Sequence, residues 1–196
     1  MTELASHLPT TKDSRVILCM KWGTKYGPEY VNRLYGMVAR HLKGAFHFVC
    51  LTDNTQGIRP EVQCLPIPSL ALPPGIPERG WTKLTTFEPD LHGLQGTALF
   101  LDLDVVITGD ITPFFEVPGE FLIIHDWKRP WRVTGNSSVY RFRLGAHGDV
   151  LSEFRQNVES VRKRFRNEQA FLSDVMHRQG RLQYWQADWC ASFKSV

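Results

Sequence analysis

Apolar residues cluster in the first third of the chain in runs that predict buried strands around one amphipathic helix. Residues 15–20 (RVILCM) form a continuous apolar run, the pattern of a strand buried on both faces. Pro28 fits the first position of a helix, and apolar residues then recur at helical spacing: Val31, Leu34, Tyr35, Val38 and Leu42. Residues 46–51 and 62–67 predict two further strands. The order strand, helix, strand, strand is the start of an α/β fold.

The rest of the chain predicts more strands and helices after an irregular segment. Residues 66–80 hold five prolines and two glycines, which excludes a regular element and predicts a loop of the length that is often functional. Beyond it, the pattern predicts strands at 98–103, 121–124, 138–142 and 182–185, and helices at 81–91, 144–161 and 167–179. We therefore predict an α/β fold in a single domain.

Composition excludes several classes of protein. The chain has 196 residues, of which 42% are hydrophobic and 22% are charged, so it can bury a core and does not have the composition of a disordered protein. The net charge of +3 is too small for a dedicated nucleic-acid binder. That total conceals an acidic block, with six acids and no Lys or Arg over residues 99–126. A basic block follows, with ten bases and three acids over residues 127–166.

The cysteines and the termini indicate a reducing compartment. No two of the four cysteines form a CxxC pair, so a structural zinc site is not expected. Residues 1–14 lack the apolar region of a signal peptide and are predicted to be a flexible leader. No apolar run approaches the roughly 18 residues that a membrane span needs. We predict a cytoplasmic protein, with peripheral contact at the inner face of the membrane left open.

The sharpest chemical feature is a pair of carboxylates, Asp102 and Asp104, at the end of the apolar run that begins at residue 98. Two residues spaced by two on a strand face the same side, and burying two carboxylates requires compensation. A divalent cation supplies it, and hard oxygen ligands suit Mg²⁺ or Mn²⁺ when a diphosphate completes the coordination. The alternative is that the acids pair with arginine or cap a turn.

Two enzyme classes carry such a pair after an apolar strand. Haloacid-dehalogenase-like phosphatases use its first Asp as a nucleophile, but they place it on their first strand and follow it with Gly-Thr, and neither feature is present here. The second class fits better. Residues 100–116 (FLDLDVVITGDITPFFE) resemble the DxD segment of GT-A fold nucleotide-sugar glycosyltransferases of family eight, the glycogenin and bacterial lipopolysaccharide hexosyltransferase group. Three further segments resemble the same family in the same order: VCLTD at 49–53, NSSV at 136–139 and NEQ at 167–169.

The resemblance implies a role for each matching position. Asp102 and Asp104 would hold Mn²⁺ or Mg²⁺ against the diphosphate of a nucleotide-sugar donor, with a UDP-sugar the expected class. The positions implied to bind the donor are Tyr26, Asp53, Lys83, Asp102, Asn136 and Ser137. Gln169 and Asn136 would lie beside the reacting sugar as the catalytic positions, and Glu168 stands where the family has Asp. The resemblance also implies a GT-A, Rossmann-like fold, with a mixed sheet flanked by helices, over residues 15–196. The family's C-terminal metal-ligand His motif has no match, so we expect this domain to lack that segment.

The implied activity is transfer of a hexose, with retention of configuration, to a glycan or lipid-linked acceptor. A GT-A domain that binds a nucleotide or a partner without transferring sugar is the alternative.

Several residues have competing interpretations. Tyr26 and Trp22 either stack on a nucleotide base or cover the core edge, Asp53 either accepts from the base or forms a turn, and Lys83 lies either near donor phosphates or on a solvated helix face. His125 and Asp126 are either on the sugar or acceptor side or structural, and Lys128, Arg129 and Arg132 are candidates to face donor phosphates or an anionic acceptor. Four tryptophans are interpreted first as core residues, with stacking on a sugar ring as the alternative: Trp127, Trp131, Trp185 and Trp189. The donor base, the donor sugar, the acceptor and the oligomeric state are not specified by these patterns.

Overall fold

The computed structural model describes residues 9–128 and 131–193 and has an α/β fold in which seven strands form a mixed sheet flanked by helices. Contacts divide the chain into two compact units. The first unit comprises Met1–Ile67 and His92–Pro118, and the second comprises Pro68–Leu91 and Gly119–Val196. Residues 1–8 of the predicted leader lie outside the described residues. Of the remaining leader, Thr10 accepts a hydrogen bond from the amide of Gln95 and Ser14 accepts one from the amide of Thr97.

The first unit consists of four parallel strands in the order β3-β2-β1-β4. β1 is flanked by β2 and β4 and is buried almost throughout, as a strand inside a parallel sheet must be. Pro28 is the first residue of the helix, a position that suits proline because the N–H it lacks would be unpaired in the first turn. The apolar face of the helix buries Val31, Leu34 and Val38. The elements are β1 (Arg15–Lys21), α1 (Pro28–His41), β2 (His47–Thr52), β3 (Gln63–Leu65), β4 (Thr97–Leu101) and a short 3₁₀ helix (Thr112–Phe115).

The second unit has the strand order β6-β5-β7, with β5 antiparallel to β6 and parallel to β7. Its core is aromatic: Phe87 lies against Phe142 with ring centroids 4.9 Å apart, and Trp81 stacks on Phe154 at 4.9 Å. The elements are a long 3₁₀ helix (Arg79–Phe87), β5 (Phe121–His125), β6 (Gly135–Arg143), α2 (Gly148–Gln156), α3 (Val158–Arg164), α4 (Glu168–Arg178) and β7 (Leu182–Tyr184).

Three predicted elements differ from the structure. The strand predicted at 98–103 ends at Leu101, because the carbonyl of Asp102 accepts a hydrogen bond from the amide of Val105 and closes a turn. The helix predicted at 81–91 is a 3₁₀ helix that ends at Phe87. The single helix predicted at 144–161 is two helices, because Asn157 leaves the helical conformation and ends the first of them.

The other predicted elements are present within a few residues of their expected bounds. The irregular segment predicted at 66–80 contains neither helix nor strand over residues 66–78, but its last two residues already belong to the 3₁₀ helix that begins at Arg79. None of the helices in the described part of the chain combines the length and the hydrophobicity needed to cross a bilayer.

Candidate functional site

The acidic pair lies in the turn directly after β4. Asp102 is half-buried and Asp104 is exposed. The expectation that both carboxylates share one face of a buried strand is therefore wrong, since the strand has already ended. The loop after β1 contacts this turn, because the Tyr26 hydroxyl donates to Oδ2 of Asp104 at 3.0 Å.

The loop after β1 is held by the end of β2. Oδ2 of Asp53 accepts the backbone N–H of Gly23 at 2.8 Å, and Gly23 has a φ of +61°, a conformation that favours glycine. β1 and β2 are parallel neighbours, so their carboxyl ends meet at one edge, where α/β folds bind ligands. The carboxylate of Asp53 thus positions the loop that carries Trp22 and Tyr26.

The same loop presents aromatic and cationic groups. Trp22 is 41% exposed, and the Lys25 ammonium lies 4.7 Å from the ring centroid of Tyr26. Its contact with Tyr26 raises the pKa of Lys25 above its usual value. The exposed indole offers a flat face on which a nucleotide base can stack. The Tyr26 ring already contacts Lys25 and the ring of Tyr30, 4.8 Å away between centroids.

The donor set at the turn after β4 fits a magnesium-type or manganese-type cation only in part. Two carboxylates supply hard oxygen ligands, but no group of three His, Cys, Asp or Glu side chains suited to a metal occurs among residues 9–128 and 131–193. Mg²⁺ is commonly held by one or two carboxylates together with water and substrate phosphates. Asp102 and Asp104 therefore match a site that the substrate completes.

A second cluster is built around an irregularity in β6. The pairing with β5 passes from Ile123 opposite Tyr140 to Ile124 opposite Asn136, so residues 137–139 form a bulge. Bulges re-aim side chains and are frequent beside active sites. Gly135 begins the strand, where a Cβ would lie 2.7 Å from a methyl group of Ile123, so only glycine allows this close approach.

Four residues predicted from three distant segments meet at this bulge. The Lys83 ammonium donates to the carbonyl oxygen of Ser137 at 3.1 Å and to its Oγ at 3.3 Å. The Ser137 hydroxyl donates to Oε1 of Glu168 at 2.8 Å, and that oxygen lies 3.9 Å from the Lys83 ammonium. Oε1 of Gln169 accepts the Ser137 N–H at 3.3 Å. The Lys83 side chain is 9% exposed, so the solvated helix face considered for it is wrong.

The first turn of α4 holds Glu168 and Gln169 in place. Asn167 caps the helix by accepting the Ala170 N–H at 3.2 Å. Ser173 was missed by sequence reasoning: its hydroxyl donates to the carbonyl of Gln169 at 2.7 Å and accepts the Gly135 N–H at 2.8 Å. Ser173 is four residues after Gln169, one turn along the same helix face, and that spacing was the available signal.

Several of the residues considered near sugar or phosphate contact other groups of the protein, and the others are exposed. The His125 imidazole contacts the carbonyl of Arg132 at 3.1 Å and packs on Tyr184, whereas Asp126 accepts the amide N–H of Lys128 in a turn. Among the tryptophans, Trp185 is buried and stacks on Trp189, Trp127 donates to the carbonyl of Cys190, and Trp131 is 77% exposed. Lys128 and Arg132 are exposed, and Arg129 lies outside the described residues.

Comparison with known proteins gives a fold. No protein-family model matches the chain, and no curated protein matches it. Two crystal structures of the glycosyltransferase GlyE from Streptococcus pneumoniae TIGR4 do match, with TM-scores of 0.58 and 0.59 and identities of 15% and 16%. They cover 90% and 89% of this chain. The chain has a glycosyltransferase fold. The bifunctional glycosyltransferase WbbM matches as well, with a TM-score of 0.60 at 11% identity over 93% of this chain.

The chain spans less than half of each of these structures, between 40% and 46% of their length. The similarity agrees with the expected α/β architecture of a GT-A type domain. The roles of individual residues rest on the local geometry described above.

Proposed function

We propose that the chain transfers a hexose from a nucleotide-diphosphate sugar, with a UDP-sugar as the donor class, to a glycan or lipid-linked acceptor. The observation that carries this proposal is the convergence of Lys83, Ser137, Glu168 and Gln169 at the β6 bulge. The family resemblance implies donor binding for Lys83 and Ser137 and a catalytic position for Gln169, and Glu168 stands where the family has Asp. The four residues come from three segments that are far apart in the chain. The glycosyltransferase fold of the chain supports the same reaction class.

In this proposal, the first unit binds the nucleotide and the diphosphate. A Mn²⁺ or Mg²⁺ ion at Asp102 and Asp104 would stabilise the negative charge that the diphosphate gains as the sugar leaves. The Tyr26 hydroxyl orients the Asp104 carboxylate, and the Asp53 carboxylate holds the loop whose aromatic faces receive the base.

Two amide groups of the second unit are suited to contacts with sugar hydroxyls. Oδ1 of Asn136 already accepts the Ser138 N–H at 2.9 Å, and Oε1 of Gln169 accepts from Ser137. Each amide therefore offers its NH₂ group to a ligand, and an NH₂ group donates to sugar hydroxyl oxygens. Lys83 and Glu168 act as positioning residues that hold the bulge. Retention of configuration is carried over from the family resemblance.

The test combines binding with turnover. Isothermal titration with UDP and Mn²⁺ is followed by donor hydrolysis and transfer assays on the wild type and on Asp102→Asn. Loss of a group that stabilises transition-state charge is expected to lower turnover by about 10²-fold to 10³-fold. Asp188→Asn, a change to an exposed carboxylate of the second unit, is the matched control and is expected to leave turnover unchanged. Unchanged turnover in Asp102→Asn would refute the metal role.

A second candidate function is nucleotide binding without transfer. It is favoured by the absence, within the described residues, of a third protein ligand beside Asp102 and Asp104. UDP binding that requires Mn²⁺, combined with no hydrolysis or transfer, would select this candidate. A covalent phosphate on Asp102 would instead refute both and support phosphoryl transfer of the dehalogenase type.

A further inference from the structure

A groove of about 480 Å³ runs between α1 and the turn after β4, and it lies wholly in the first unit. One wall is the helix face that carries Arg33, Gly36, Met37 and Arg40. The other wall is the turn from Leu103 to Val106, so the groove reaches Asp104, one of the two proposed metal ligands. Its volume is typical of a small-molecule site.

Gly36 lies in the α1 wall of the groove. Glycine is among the poorest helix formers, yet Gly36 lies inside α1. A Cβ built on it would meet nothing within 4 Å, so no neighbouring group requires glycine at this position. The absent side chain leaves space beside Met37 that a larger residue would fill.

The lining combines an apolar floor with two cations. Val106 is 73% exposed although it is apolar, half-buried Met37 lines the groove beside it, and Leu103 is the buried floor beneath them. Arg33 and Arg40 are exposed at the rim. Across residues 9–128 and 131–193, neither guanidinium has an ion pair, and that of Arg33 lies 5.8 Å from the ring centroid of Tyr30, which also lines the groove. A ligand that is complementary to this lining carries an anionic group attached to an apolar chain.

We propose that this groove binds the acceptor, and that the acceptor is a phosphate ester of an apolar alcohol, with its phosphate at Arg33 and Arg40 and its chain along Met37 and Val106. The inference rests on the proposed function, because contact with Asp104 would bring a molecule in the groove beside the donor diphosphate. It narrows the acceptor from glycans and lipid-linked molecules in general to an anionic lipid-linked one.

The test measures binding of three probes by isothermal titration, without nucleotide or metal and below the micelle-forming concentration. Octyl phosphate carries both charge and chain, 1-octanol carries the chain alone, and inorganic phosphate carries the charge alone. Octyl phosphate is expected to bind most tightly. Equal binding of inorganic phosphate would mean a plain anion site, and equal binding of 1-octanol would mean a plain apolar groove; either outcome overturns the proposal.

Variants of the groove residues test whether octyl phosphate binds in the groove. Gly36→Leu is expected to abolish octyl phosphate binding, while Gly36→Ala retains most of it and reports any effect of helix stability. Arg33→Gln and Arg40→Gln are each expected to weaken binding by about fivefold, as loss of an exposed ion pair does. Arg166→Gln removes an exposed arginine of the second unit and is expected to have no effect. Unchanged binding in a folded Gly36→Leu variant overturns the proposal.

The two proposals fail separately. Donor hydrolysis that depends on Asp102, together with no octyl phosphate binding, removes the acceptor groove and leaves the proposed function standing. Octyl phosphate binding that Gly36→Leu abolishes, in a protein that neither hydrolyses nor transfers sugar, overturns the proposed function and the acceptor role while identifying the groove as a binding site.

Discussion

Replacing Lys83 with methionine removes the buried cation on which the β6 bulge is built. Methionine keeps most of the volume, so the change isolates the ammonium group. The carbonyl of Ser137 loses a donor at 3.1 Å, and the Glu168 carboxylate, whose side chain is 12% exposed, loses the cation 3.9 Å away. A buried acceptor left without its donor costs about 1–3 kcal/mol, and removing one partner of a buried ion pair costs more, so we expect a loss of about 3 kcal/mol.

The companion variant Glu168→Gln should cost less. A glutamine oxygen still accepts the Ser137 hydroxyl, which in the wild type donates to Oε1 of Glu168 at 2.8 Å. The Lys83 ammonium loses its carboxylate but keeps its hydrogen bonds to the carbonyl oxygen and Oγ of Ser137. We expect about 1 kcal/mol. In the double variant no unpaired charge remains at the bulge, and the total loss should be about 2 kcal/mol instead of the additive sum. The coupling energy between Lys83 and Glu168 is therefore about 2 kcal/mol.

Urea unfolding followed by tryptophan fluorescence measures all three variants against the wild type. Lys163→Met, a change to an exposed lysine of α3, is the control and should stay within about 0.5 kcal/mol of the wild type. A Lys83→Met loss of the same size as the control would refute the buried ion pair. Additive losses in the double variant would refute the coupling between the two charges.

Four further predictions follow from single contacts. Tyr26→Phe removes the hydroxyl that orders Asp104 and should weaken Mn²⁺-dependent UDP binding by on the order of fivefold in titration calorimetry, with unfolding unchanged. Burial lowers the pKa of His147 below its usual 6.5, so the unfolded chain takes up a proton before the folded one. The urea midpoint should therefore fall as the pH drops below 6.5, and less steeply in His147→Gln. Asn167→Ala removes the cap of α4 and should lower the free energy of unfolding by about 1 kcal/mol. Burial raises the pKa of Cys190 to about 12, so mass spectrometry should show slow alkylation at pH 8 until the chain is unfolded.

Each of these has a contradicting result. Equal UDP affinity in Tyr26→Phe, parallel pH profiles for the wild type and His147→Gln, an unchanged urea midpoint in Asn167→Ala, or rapid alkylation of folded Cys190 would show that the contact in question does not have the assigned effect.

The periodicity of apolar residues predicted most of the helices and strands. The run at residues 15–20 became β1, and the apolar spacing after Pro28 became α1, because each pattern describes one face of one element. The ends of elements were harder to predict. The apolar pattern extends to residue 103, but β4 stops at Leu101, since a turn hydrogen bond and not hydrophobicity decides where pairing ends.

For the candidate site, the sequence indicated which residues to consider but not which of them contact one another. Asp102 and Asp104 were named from their residue type and local context, and Lys83, Ser137 and Gln169 were named from the resemblance to a glycosyltransferase family. The hydrogen-bond partners of these residues could not be predicted from the sequence. Lys83 and Ser137 are 54 residues apart, and Ser137 and Glu168 are 31 apart. A lysine on a short helical segment has no local signal that distinguishes a solvated position from a buried one.

The sequence by itself therefore determined the α/β class, most of the elements, and the residue types available for chemistry, because hydrophobic spacing and short motifs are local properties of the chain. The tertiary structure alone decided that the acidic pair lies in a turn and that the β6 bulge is held by Lys83 and α4. The tertiary structure alone also shows a groove that is lined by both Gly36 and Asp104. These features depend on hydrogen bonds and packing between segments far apart in the chain, and the free energy of such contacts exists only once the segments meet.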